Sequence, residues 1–273
     1  MDTIEEKILF LCYHYTVRTG LGKTVPMQAK AKQENVTIVL NRPKYAGNVG
    51  FVARCARNMG IEKLCVVGGG ELNPDEMKQM STHFAAAIID DIRYCNSLEE
   101  AVAGCTYVVG TTSRLGSARG PAVSPREMAR RLVAMSQHNE IALVFGPEDA
   151  GLSNDDIRLC HMLVRIPTSE FKSLNLSHAV MIISYEIFVA RTEPSGTVIP
   201  RLATSEETEA MYGQMKQLLC KIGFLNPQNP DYWMLHIRRF LSRTTLLARE
   251  VNIIRGICRQ LDWYGENGKR KKT

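Results

Sequence analysis

The sequence lacks what a membrane-spanning, secreted or metal-dependent protein would need. It holds no run of about 18 apolar residues, and the apolar stretch Ile8-Leu9-Phe10-Leu11-Cys12 follows Glu5 and Glu6, unlike a secretory signal. Among its eight cysteines there is no C-x-x-C pair, and its six histidines form no H-x-x-x-H or H-E-x-x-H pair. Neither a disulfide framework nor a zinc site has the spacing it requires. Reduced thiols serving as small hydrophobes, no metal, no membrane partner and a cytoplasmic location are therefore expected. A strong overall charge is missing too, with 34 basic against 28 acidic residues for a net of +6. With 45% hydrophobic and 23% charged residues in 273, the chain can be neither largely disordered nor a coiled-coil rod.

What charge there is sits unevenly. Residues 1–200 carry 21 basic and 21 acidic side chains, whereas residues 201–273 carry 13 and 7. A neutral body thus bears a basic appendage. Placement of charge, more than its total, points to a polyanionic partner.

Residues 1–34 show no sustained period and read as a disordered extension. Within them, Gly20-Leu-Gly22-Lys23-Thr24 imitates the end of a phosphate loop. Val17 stands where that motif needs glycine, and Pro26 opposes the helix that should follow. From Asn35 the pattern becomes regular. Apolar runs at 36–40, 64–67, 106–110, 141–145 and 163–166 predict buried strands. Helical spacing predicts helices over 47–59, 74–80, 98–103 and 125–135, a short one from Ser153, and a long one over 174–190. Alternation of this kind implies a mainly parallel sheet covered on both faces, in one domain over residues 35–191. A Pro- and Gly-containing linker over 192–204 then leads to three helices, over 205–222, 232–242 and 246–261, in a C-terminal domain of residues 205–273 with a basic tail. The helix over 174–190 is apolar on more than one side, as an interface helix would be.

Ligands of open α/β sheets bind beyond the carboxyl ends of the strands. Three loops there concentrate glycine, small polar residues and isolated charges. The first contains Asn48, Gly50, Arg54 and Arg57; Asn48 is placed to cap a helix whose free N–H groups would attract an anion, and Gly50 to leave room beside Arg54. The second runs Phe145-Gly146-Pro147-Glu148-Asp149-Ala150-Gly151-Leu152-Ser153. Ile166-Pro167 and Ser173-Leu174-Asn175 before the apolar helix make the third.

Taken together, N-x-G-x-x-x-R, F-G-x-E-x-x-G-L and I-P-x-x-x-x-x-S-L-N-L-S resemble the SPOUT superfamily, in its SpoU/TrmH branch of RNA ribose 2′-O-methyltransferases. The segments Ile222-Gly-Phe-Leu-Asn-Pro227, Arg238-Arg239-Phe-Leu-Ser-Arg243 and Glu250-Val-Asn-Ile-Ile-Arg-Gly256 are similar to the C-terminal domain of the TrmJ group. The resemblance covers roughly residues 35–262. It implies an α/β fold with a deep trefoil knot in a parallel-sheet methyltransferase domain, followed by a small all-helical domain. It also implies a homodimer, S-adenosyl-L-methionine as cofactor, and methylation of the ribose of nucleotide 32 in the tRNA anticodon loop.

By the same resemblance the cofactor lies against Gly110, Thr111, Thr112, Ser113, Gly146, Glu148, Gly151, Leu152, Ile166, Ser173, Leu174 and Asn175, the glycines allowing close approach. Arg54, Asn48, Glu148, Ser173 and Asn175 form the catalytic set. Arg54 orients the ribose hydroxyl or clamps a phosphate, because a guanidinium is a poor general base. Arg54, Arg57, Arg238, Arg239 and Arg243 are the expected RNA contacts. Two readings compete: a related SpoU-type enzyme acting on rRNA or another tRNA ribose, and an inactive RNA-binding protein on the same fold. The complete set of Asn48, Arg54, Glu148, Ser173 and Asn175 weighs against the second.

Overall fold

A computed structural model describes residues 30–68, 72–114, 121–170, 173–190, 200–226, 228–242 and 245–268. The Gly20–Thr24 run, most of the expected linker, Arg243 and the basic tail lie outside them. In chain order the body comprises β1 (Val36–Asn41), α1 (Ala46–Asn58), β2 (Lys63–Val67), α2 (Pro74–Ser81), α3 (Ala86–Asp90), β3 (Arg93–Cys95) and α4 (Leu98–Val102). It continues with β4 (Tyr107–Thr111), β5 (Ala122–Val123), α5 (Pro125–Met135), β6 (Ile141–Phe145), α6 (Asn154–Arg158), β7 (Met162–Val164) and α7 (Leu176–Val189).

All seven strands join one parallel sheet in the order β3-β2-β1-β6-β4-β7-β5. β1 shows why both faces must be covered. Ile38 and Leu40 enter the core on one side and Val39 the core on the other. Residues of α1, α5 and α7 fill the first core, those of α4 the second. Because β1, β6, β4 and β7 are successive neighbours, their carboxyl ends line up along one rim. There the chain order reverses, which is where a crevice opens in such sheets.

β3, β5 and α3 escape a reading by periodicity. They have 3, 2 and 5 residues, too few to display a period. The long buried helix starts at Leu176 rather than at 174, since Asn175 serves as its N-cap and accepts from the Ser177 N–H. The last residues of the expected extension are packed against the body. Ala31 is buried, Lys32 N–H donates to Ser136 Oγ, and the Asn35 side chain donates to the Ser136 carbonyl. Residues 30–34 are thus fastened to the end of α5.

Buried thiols behave as small hydrophobes. Burial pushes Cys65 and Cys160 up to about 12 and Cys105 to about 11. His161 follows α6, accepts from the Val108 N–H at 3.0 Å and stacks on Tyr107; burial lowers its pKa to about 4.

Beyond the body, α8 (Ser205–Lys221), α9 (Pro230–Leu241) and α10 (Ala248–Gly268) enclose a separate core of Met211, Tyr212, Leu225, Met234 and Val251. The last residues of the expected linker are not free chain. Leu202 is buried in the body's core, and its N–H donates to Asn139 Oδ1 at 2.9 Å. Ser205 N–H donates to the Cys105 carbonyl. The helical unit is therefore tied directly to the sheet domain. No described helix is long and apolar enough to cross a membrane.

Candidate active site at the carboxyl rim of the sheet

Two adjoining clefts open at that rim. The larger, about 850 Å³, is walled by Thr111, Thr112 and Ser113 at the end of β4, residues 145–154 at the end of β6, Val164 and Ile166 at the end of β7, and Ser173, Leu174, Leu176 and Ala179 of α7 and its approach. Its size suits a nucleoside-sized ligand. The smaller, about 580 Å³, lies between α1, α2 and the approach to α7, against Tyr45, Asn48, Phe51, Glu76 and Met80. Glu148, Ser173 and Leu174 border both.

At their shared mouth three loops meet through side chains. Asn48 Nδ2 donates to Glu148 Oε1 at 2.9 Å, while Asn48 Oδ1 accepts from Asn175 Nδ2 at 3.1 Å. The Lys44 N–H donates to the other Glu148 oxygen at 3.0 Å. Asn175 Oδ1 holds Ser177 through its N–H and its hydroxyl. Asn48 therefore does not cap α1, as its position in the sequence suggests. Tyr45 occupies the N-cap position with no side-chain bond. Nor is the start of α1 open to an anion, since the Gly47 N–H already donates to Glu76 Oε1 at 3.0 Å.

The 145–154 loop is braced on both sides. Arg114 donates to the Ala150 carbonyl at 2.6 Å, and Arg42 pairs with Asp156 at 2.6 Å. Burial pushes the Asp156 carboxyl upward, but hydrogen bonds from the Ser153 N–H and hydroxyl and the Arg42 charge outweigh it, leaving it below the ordinary range. Arg42 holds this place with a positive φ of 56°, a conformation unusual outside glycine. Nothing in the sequence signals that. Lys44, Tyr45 and Glu76 are also absent from the sequence-derived site. The first two directly follow a strand and could have been found by the strand-end rule.

Known proteins fit this geometry. Residues 35–185 match the SpoU rRNA methylase family profile, and residues 206–272 match the profile of the C-terminal domain of tRNA methyltransferase TrmJ. The chain belongs to the SpoU methylase family. One relative, the tRNA (cytidine/uridine-2′-O-)-methyltransferase TrmJ of Klebsiella pneumoniae, is 34% identical over 237 residues, spanning 84% of this chain and 97% of the relative. The protein of the same description from Pectobacterium atrosepticum is 36% identical over 230 residues, 82% and 95% of the two chains. The crystal structure of TrmJ from Z. mobilis ZM4 superposes with a TM-score of 0.72 at 30% identity, covering 83% of this chain and 98% of that one.

In this SpoU methylase the glycines of the motifs are also needed by the protein's own packing. A Cβ on Gly146 would lie 2.3 Å from the backbone of Gly151 and Leu152, and one on Gly110 2.5 Å from Cys160 Sγ. Both serve the protein's own packing. A Cβ on Gly50 would sit 2.3 Å from the Met77 carbonyl of α2, so the space there is filled and not open beside Arg54. Gly151 and Gly223 are required by conformation alone, with φ of +61° and +75° and no neighbour in reach.

The expected RNA contacts divide. Arg54 is exposed on α1 and forms no ion pair among the described residues, yet it borders neither cleft. Arg57 pairs with Glu62 at 2.9 Å. Arg238 is engaged internally: both its terminal nitrogens bond Glu209, at 2.5 and 2.7 Å, and its guanidinium lies 4.4 Å from the Tyr212 ring centre. It joins α9 to α8 and is not a free phosphate contact. Arg239 remains exposed. No group of three or more His, Cys, Asp or Glu residues able to hold a metal occurs among the described residues.

Proposed function

We propose that this SpoU methylase is a tRNA (cytidine/uridine-2′-O-)-methyltransferase that uses S-adenosyl-L-methionine and acts on the ribose of nucleotide 32 of the anticodon loop. The observation that carries the reading is the Asn48–Glu148–Asn175 network, which gathers three motif loops at the mouth shared by two clefts. The larger cleft fits the cofactor in size and chemistry: the Ser113 hydroxyl and loop backbone supply polar partners, while Ile166, Leu152 and Leu174 supply apolar walls. Bound there, S-adenosyl-L-methionine would provide an electrophilic methyl group on sulfonium. Gly110 lies beneath this surface as support, and Asn175 faces the smaller cleft.

The chain's own residues would then position the ribose. Asn48 is held from both ends, so its amide cannot swing, and Glu148 accepts on both oxygens. Such a locked set can orient a 2′-hydroxyl without reorganising, where positioning is worth most. Arg54, without an ion pair among the described residues and permanently charged, is suited to clamp an adjoining phosphate. The family implies a knotted path. A second copy of the chain would cover α7, whose apolar Tyr185, Phe188 and Val189 stay 52%, 42% and 43% exposed.

The test is methyl transfer from labelled S-adenosyl-L-methionine to total tRNA of a deletion strain, with the 2′-O-methyl positions mapped by sequencing. New methylation at pyrimidine 32 is expected. Label confined to rRNA, or to another tRNA position, would overturn the reading. Arg54→Ala should lose transfer and keep cofactor binding by calorimetry.

A further inference from the structure

The smaller cleft has a composition that ribose positioning does not explain. One flank carries two aromatic side chains, Tyr45 at 61% and Phe51 at 41% exposure, and neither ring contacts another ring or a cation among the described residues. Glu76 lines the same cleft. Its Oε1 is fixed by the Gly47 N–H at 3.0 Å, and its Oε2 has no partner among the described residues. Gly47 makes that seat possible, since a Cβ there would already approach Glu76 Oε1 to 3.0 Å. A carboxylate immobilised through one oxygen, with the other open to a cleft, is an acceptor awaiting a donor.

Unpaired nucleobases are recognised by aromatic stacking together with hydrogen bonds to their Watson–Crick edge. The cleft of about 580 Å³ adjoins the Asn48–Glu148–Asn175 network, so a base lodged in it keeps its own ribose beside that network. We infer that this cleft receives the base of the target nucleotide, stacked on Tyr45 and Phe51, and that Glu76 makes the enzyme favour cytidine over uridine. The inference rests on the methyltransferase reading above. At the 4-position cytosine presents an exocyclic amine, a donor matched to the open Glu76 oxygen, whereas uracil presents there the O4 acceptor, which a carboxylate repels. Glutamine at this position can present either a carbonyl or an amine, and so loses the distinction while still accepting from Gly47.

The experiment measures kcat/KM on two tRNA transcripts differing only in cytidine or uridine at the target position, for wild type, Glu76→Gln and Tyr45→Leu. Wild type is expected to prefer the cytidine substrate. Glu76→Gln should shrink the cytidine-to-uridine ratio by about fivefold to tenfold with the melting temperature unchanged. Tyr45→Leu should raise KM for both substrates and leave the ratio alone, because stacking is tolerant of sequence. An unchanged ratio in Glu76→Gln, or a wild-type KM in Tyr45→Leu, overturns the assignment while transfer by the wild type keeps the methyltransferase reading intact. Wild-type protein that labels neither transcript, nor any tRNA, overturns both.

Discussion

Gly50→Ala distinguishes two uses of the glycine in the N-x-G-x-x-x-R run. If the missing side chain leaves room for substrate beside Arg54, alanine should slow the reaction and stabilise α1, by about 0.5–1 kcal/mol, since glycine is a poor residue in a helix interior. The structure predicts the opposite sign. The new methyl carbon would fall 2.3 Å from the Met77 carbonyl oxygen and 2.8 Å from Met80 Cβ, and the nearer atom belongs to the α2 backbone. Relief requires α1 and α2 to separate by about 1 Å. Overpacking of this kind costs about 1–3 kcal/mol, the upper part of that range when backbone must move. After the helix-propensity gain, a net loss of about 1–2 kcal/mol remains, a fall in melting temperature of roughly 2–8 °C for a chain of this size. Calorimetry on the purified variant measures it directly. Displacing α2 also carries Glu76 and Met80 away from the smaller cleft, so methyl transfer should drop while cofactor affinity in the larger cleft holds. A melting temperature at or above that of the wild type would refute the packing argument and return Gly50 to the substrate.

Arg238 and Arg239 are neighbours with opposite expectations. Arg238→Ala should cost about 1–2 kcal/mol in urea unfolding, discounted because the pair with Glu209 is 35% and 42% exposed. Arg239→Ala should leave stability within about 0.5 kcal/mol and reduce the logarithmic salt slope of tRNA binding by about one. Equal stability losses in the two variants would contradict the assignment. His161 gives a pH dependence. Its folded pKa lies near 4 against an ordinary 6.5, so the unfolded chain binds more protons between those values and stability must rise with pH across that window. The group accounts for roughly 3 kcal/mol, lost as pH falls from 6.5 toward 4. His161→Gln, which keeps an acceptor for the Val108 N–H, should flatten the urea-midpoint profile there; an unaltered slope would refute it.

Much of the fold was legible because the body obeys simple periods. β6 and α5 occupy the residues that hydrophobic pattern and capping assign them, and most other long elements shift by one or two. β3, β5 and α3, of three, two and five residues, were missed. The site was legible by position and less so by role. Strand-end loops supplied Asn48, Glu148 and Asn175, but which side chain answers which is a matter of long-range geometry: Asn48 looks like a helix cap in sequence and instead reaches loops 100 and 127 residues away. Arg42, Arg114 and Glu76 lie in segments whose local sequence resembles any solvated turn or helix start.

Charge shows the same limit more sharply. The excess of the C-terminal segment is a count of residues, whereas RNA responds to charge that is uncompensated. Four of the segment's basic side chains are spent internally, with Arg201 on Glu207, Lys216 on Asp231, Lys221 on Asp262 and Arg238 on Glu209. Arg255 bonds Gln214, and Arg239, Arg249 and Arg259 form no ion pair among the described residues. Four more, Lys269, Arg270, Lys271 and Lys272, stand together at the chain end. Phosphate affinity scales with the number of charges neutralised on binding. Removing residues 269–273 should therefore flatten the salt dependence of tRNA binding by several units of slope, more than any single helix arginine can. The catalytic constants at saturating tRNA should be unchanged, because the residues that border both clefts all lie in the sheet domain. A truncated protein with the salt slope of the full chain would mean that the helical unit binds through its exposed apolar side chains, such as Phe240 and Trp233, and that its basic excess serves solubility alone.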